Sequence, residues 1–151
     1  MRALTLEEVD KYLAAAKGDL KDFVVLALDT GARPMELLAL HKNDVHLTEG
    51  YVSLPGTKNV RARRDVPLTD GAKEVLEGRI GKTPNGYIFP VRRRKTEHKE
   101  VQHITSVKNA HKRIIADHFA DDPFTPYRFR HTCGTRHSQA GTERSCRCWQ
   151  S

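Results

Sequence analysis

The sequence predicts a single α+β unit, mostly helical, with a small antiparallel β-sheet set between helices. Three observations lead there. Apolar residues recur at helical spacing through residues 6–40, the period shortens to that of strands between Val45 and Leu68, and helical spacing returns from Gly71 onward. A length of 151 residues fits one domain.

The elements follow in order. Thr5-Leu6-Glu7-Glu8 has the form of a capping box, and Val9, Tyr12, Leu13 and Ala16 continue it as an amphipathic helix. Gly18-Asp19 breaks that helix and caps the next. Leu20 to Asp29 is so apolar that it reads as a buried helix, stopped by Thr30-Gly31. Pro34 suits the first turn of a third helix, Pro34 to Leu40, where its missing N–H is not needed. Val45, Leu47, Tyr51 to Leu54 and Val66 to Leu68 read as short strands. The turn Gly56-Thr57-Lys58-Asn59 and the basic Arg61, Arg63 and Arg64 lie between the last two, giving an antiparallel hairpin with a positive tip. Thr69-Asp70 caps a helix of about Gly71 to Arg79. Tyr87-Ile88-Phe89 is a short apolar piece closed by Pro90, and Arg92 to Lys95 opens a polar loop. A helix of about His103 to Phe119 turns Ile104, Val107, Ile114 and Ile115 inward and Lys108, Lys112 and Arg113 outward. Thr125-Pro126 opens a last helix, through about Ala140.

Composition narrows the function classes. Lys+Arg is 26 against Asp+Glu 19, a formal net charge of +7, which favours a polyanionic partner. No apolar run is long enough to cross a bilayer and the first residues do not form a signal peptide, so no membrane role is expected. Cys133, Cys146 and Cys148 cannot all pair, and the last two stand too close for easy closure; a reducing, cytoplasmic setting is expected. Asp and Glu do not cluster as a two-metal nuclease requires, and no aromatic-rich strand suggests base stacking on RNA. His131 with Cys133, or His137 with Cys146 and Cys148, fits no common zinc spacing, so neither metal nor cofactor is expected.

Three segments carry chemistry. In Thr30-Gly31-Ala32-Arg33-Pro34-Met35-Glu36-Leu37-Leu38-Ala39-Leu40 an arginine stands just ahead of a helix, and Glu36, three residues on, is close enough to orient it. Lys58 lies at the hairpin tip. Tyr127-Arg128-Phe129-Arg130-His131-Thr132 opens the last helix. These segments, with Val66-Pro67-Leu68, resemble in order and spacing the boxes of the tyrosine recombinase, or phage integrase, family. The likeness runs from about Leu4 to Gly141.

The resemblance implies the catalytic-domain fold of a DNA breaking–rejoining enzyme acting on double-stranded DNA, for a phage or other mobile element, with protomers associating on the DNA. In that chemistry a tyrosine hydroxyl attacks a backbone phosphodiester, leaving a phosphotyrosine link and a free 5′-hydroxyl. Two forked, permanently charged guanidiniums clamp the non-bridging oxygens without a metal; by resemblance these are Arg33 and Arg130. Lys58 would protonate the leaving oxygen as general acid. Glu36 and His131 would support the site, and Arg61, Arg63 and Arg64 would meet the DNA backbone. Two residues depart from the family pattern. Phe129 stands for leucine. Tyr127 stands where the family has histidine or lysine in acid–base work; a phenol, with an ordinary pKa of about 10, can donate a hydrogen bond but is a poor base at neutral pH.

The expected domain covers residues 1–141, and residues 142–151 form a tail that leaves the family pattern. There the family continues with a helix, Leu-Gly-His and the nucleophilic tyrosine; here no such tyrosine follows, which reads as a frameshift or premature stop. The N-terminal core-binding domain of the family is not seen either. The expectation is a site without its nucleophile, inactive alone, with a non-catalytic DNA-binding remnant as the alternative.

Overall fold

The computed structural model describes residues 2–54, 64–82, 86–90, 104 and 106–139. Lys58, Arg61, Arg63, the loop at 92–95 and the tail at 142–151 lie outside the described residues.

The first helix, α1 (Leu6–Ala15), begins at the anticipated capping box. The Thr5 hydroxyl accepts from Glu8 N at 3.2 Å, and the Glu8 carboxylate accepts from Thr5 N at 2.8 Å. In α2 (Asp19–Thr30) Gly18 holds the cap position without a side-chain bond. Asp19 is therefore not the cap; its carboxylate is drawn to Arg79 at 2.7 Å. Gly31 ends α2 in the left-handed region, φ 66°, and its N–H reaches the Ala27 carbonyl at 3.0 Å.

Helix α3 (Pro34–Leu38) is shorter than its pattern suggested. Leu40 N bonds tightly back to Leu37 O, and Leu40 O is taken by Ile88 N at 2.9 Å, so the chain leaves the helix for a strand-like contact. Next comes a three-stranded antiparallel sheet, β1 (Val45–His46), β2 (Tyr51–Leu54) and β3 (Arg64–Pro67), in that spatial order. Leu47 falls in the turn after β1. Val52 pairs with Val66 and Leu54 with Arg64, so the register puts Val52, Leu54 and Val66 in the core.

Thr69 caps α4 (Asp70–Ile80), accepting from Ala72 N at 3.4 Å. Helix α5 (Lys108–His118) starts later than the apolar pattern implied. Ile104 N donates to Phe89 O at 2.8 Å, and the Ser106 hydroxyl accepts from Lys108 N at 3.2 Å; both pull the preceding residues out of helix. The last helix, α6 (Tyr127–Gln139), opens with a tight turn, Arg128 N to Thr125 O and Phe129 N to Pro126 O.

One apolar core runs through the helices and the sheet. Helix α2 is its axis, packed against α3, α4 and α6, while α1 packs on α5. The aromatic part gathers Tyr12, His111, Phe119, Phe124 and Phe129, with Phe129 edge-on to Tyr12 at 5.0 Å between ring centroids. The phenylalanine that departs from the family box is thus fully buried at the centre of this cluster. Arg79 is a second pin: it donates to Asp19 and Asp22 at 2.7 Å each and to Ile88 O at 3.0 Å, while stacking over Phe89. Among the described residues no helix is long and apolar enough to cross a membrane.

Candidate functional site

The site is built where α2 ends. Thr30, buried, turns its hydroxyl back to Leu26 O at 2.7 Å and accepts from Ala32 N at 3.2 Å. With Gly31 in the left-handed region, this fixes the two residues ahead of Arg33. Arg33 is extended (φ −68°, ψ 146°), and its carbonyl accepts from Glu36 N and Leu37 N. Pro34 follows as the first helical residue, so Arg33 is held by backbone on both sides.

Glu36 is the centre of the arrangement. Its side chain is fully buried, yet every polar contact it needs is present. Oε2 accepts from Arg33 N at 3.0 Å, and Oε1 from the Arg33 guanidinium at 3.4 Å. Arg64, at the start of β3, closes on the same carboxylate with both terminal nitrogens, at 3.2 and 2.8 Å. The expected Arg33–Glu36 pair is therefore present, but it is the longer contact. Arg64 does not stand as a solvated charge on the hairpin: its side chain is 16% exposed, and its fork is committed to Glu36. Local spacing gave no sign of this, because the partners are far apart in sequence and meet only through the sheet.

The third segment lies on α6. Tyr127 is exposed at its first position, Arg130 and His131 are half-buried, and Phe129, Thr132 and Cys133 face the core. The Thr132 hydroxyl accepts from Leu4 N at 3.0 Å and donates to Arg128 O at 2.8 Å, tying the chain's start to this helix. The Cys133 thiol approaches Asp29 O at 3.6 Å, so α6 docks on the end of α2, four residues before Arg33.

A cavity of about 610 Å³ lies between these segments. Pro34 and Met35 line one side, Tyr127 the other, with His111 and Phe124 along the wall. The residues directly after Arg33 and the first residue of the third segment thus face one groove. Met35 and Tyr127 are among the most exposed large apolar side chains described. His111 holds the α6 entry in place: its Nδ1 lies 2.7 Å from the Tyr12 hydroxyl and its Nε2 2.7 Å from Phe124 O. Burial pushes the His111 pKa down, against the bond to Phe124, and burial pushes the Tyr12 phenol up. Neither residue was singled out for this in the sequence, where Tyr12 reads as one apolar position of an amphipathic helix.

A helical domain with a three-stranded antiparallel sheet, carrying these segments in this order, defines the class. The chain belongs to the phage integrase family, whose model matches residues 2–145. It is 28% identical over 94% of its length to the tyrosine recombinase XerD of Halalkalibacterium halodurans, and covers 50% of that protein. Among solved structures it superposes on XerA recombinase with a TM-score of 0.73 at 25% identity, over 93% of this chain and 52% of that one. The Tn1549 transposon integrase in complex with circular intermediate DNA gives 0.71 at 19% identity, over 93% of this chain and 55% of the other. A lambda integrase tetramer bound to a Holliday junction gives 0.65 at 19% identity, over 91% and 43%. The chain spans about half the length of the relatives it matches.

Proposed function

We propose that this chain forms the phosphate-clamping part of a recombinase catalytic domain acting on duplex DNA in site-specific recombination or integration for a mobile element. The observation that carries it is Arg33, held at its backbone and set beside a buried, fully satisfied Glu36, directly ahead of Pro34 and Met35, which line the groove that Tyr127 of α6 also lines. Arg33 and Arg130 would grip the non-bridging oxygens of one phosphodiester, where charge gathers in the transition state. Lys58, in the segment joining β2 to β3, would give its proton to the leaving 5′-oxygen as the tyrosine–phosphorus bond forms. Tyr127, 52% exposed at the start of α6, would donate a hydrogen bond to the phosphate, and His131 would support the site. Arg61 and Arg63 would contact the DNA backbone. Lambda integrase is seen as a dimer on a core site and as a tetramer on a Holliday junction, and this chain would likewise associate with further protomers on its target.

The attacking tyrosine is read as none of the four in the sequence. Tyr12 is fully buried with its hydroxyl on His111; Tyr51 stacks on His46 and Tyr87 meets His41 edge-on, both on or beside the sheet. Tyr127 holds a position with a different role in the family. A nicked suicide substrate tests this, with covalent protein–DNA adducts read on a denaturing gel. The chain alone should give none, and addition of a domain carrying the family's tyrosine helix should produce one. An adduct from the chain alone, abolished by Tyr127→Phe, would overturn the assignment of the nucleophile. Duplex binding without an adduct in either mixture would favour the second reading, a non-catalytic DNA-binding domain of the same fold.

A further inference from the structure

Glu36 carries one negative charge in a site that would bind an anion. Its side chain has no exposure to solvent, so water does not screen it. Left with Arg33 alone, it would draw that guanidinium onto itself and cancel its charge. Instead the fork of Arg64 takes the carboxylate at 3.2 and 2.8 Å, while the Arg33 guanidinium, among the described residues, reaches it only at 3.4 Å and its side chain is 29% exposed. The three groups sum to one net positive charge, and Arg33 is the more exposed of its two carriers.

We propose that Arg64 is a positioning residue: by neutralising buried Glu36 through a two-pronged contact, it leaves the Arg33 guanidinium available to a phosphate oxygen. The inference rests on reading Arg33 as a phosphate ligand. It also joins β3 to the Arg33 turn, so that the strand pair flanking Lys58 and the arginine are set by one carboxylate. Arg64 acts through Glu36, to which both its terminal nitrogens are committed.

The test titrates inorganic phosphate into the full chain and follows the Arg33 side-chain resonances by nuclear magnetic resonance, with thermal melts to confirm folding. Arg64→Met should raise the dissociation constant read at Arg33 about tenfold and slow rotation of the Arg33 guanidinium as it pairs with Glu36. Glu36→Gln in the same chain should return both to near the unsubstituted values, which a merely structural Arg64 would not do. Where Arg64→Met does not fold, Arg64→Lys with and without Glu36→Gln gives the same comparison, with a smaller loss because an ammonium keeps the charge although it cannot hold both oxygens. Unchanged affinity and rotation in the single variant, or no recovery in the double, would overturn the proposal. No response of Arg33 to phosphate in the unsubstituted chain would instead remove the phosphate-clamp reading. The rotation measurement would then decide the Arg64–Glu36–Arg33 coupling by itself.

Discussion

His111 shows how much one buried side chain can hold. The Phe124 carbonyl can only accept, so Nε2 carries the ring proton and Nδ1 accepts from the Tyr12 hydroxyl. That arrangement requires a neutral ring, and burial keeps its pKa below the ordinary value. An unfolded histidine titrates near pH ~6.5, so below that point the unfolded chain binds more protons than the folded one. Stability from this group is therefore complete above about pH 6.5 and drains away as pH falls through the lower folded value. Melting temperatures should fall on acidification across that window, and His111→Asn should flatten the trend while lowering stability at neutral pH. A slope unaffected by the substitution would assign the titration to another group. Tyr12→Phe removes the donor and leaves a buried nitrogen unpaired, which should cost about 1–3 kcal/mol in urea denaturation.

At the scale of elements, the turn between α2 and α3 decides where Arg33 stands. Gly31 at φ 66° is a conformation that a β-carbon disfavours by about 1–2 kcal/mol. Gly31→Ala should lose about that much in chemical denaturation, and Gly31→Asn less, because asparagine tolerates the left-handed region. A neutral alanine substitution would mean that the turn relaxes without cost. This turn was legible in the sequence, as were the Thr5 and Thr69 caps and the pairing of β2 with β3, because each is written in neighbouring residues. Helix ends were less legible where distant groups intervene: Phe89 O captures Ile104 N, and Ile88 N captures Leu40 O. The site divides in the same way. The pairing of Arg33 with Glu36 is written in local spacing, while Arg130 was singled out by the family resemblance. The grip of Arg64 on Glu36 and that of His111 on Phe124 depend on strand register and helix packing, which no local pattern encodes.

At the scale of the whole molecule, a net charge of +7 will draw the chain to any duplex, whatever its sequence. Bulk affinity therefore says little about the site, and the salt dependence says more. Each phosphate neutralised by a cationic side chain adds about −0.9 to the slope of log affinity against log salt on B-form DNA. Much of the total slope will come from exposed cations such as Lys108, Lys112 and Arg113 on α5. Arg33 and Arg130 are only partly exposed and stand on separate segments, brought to one end of the molecule by the docking of α6 on α2. If both grip phosphate, Arg33→Met and Arg130→Met should each make the slope shallower by about one, and the double variant by about two. Titrations by fluorescence anisotropy over a range of salt concentrations measure this directly. A double variant that loses affinity but keeps its slope would place both arginines away from the phosphates. A double variant that loses the slope of only one contact would mean that a bound duplex reaches one of the two arginines and not the other.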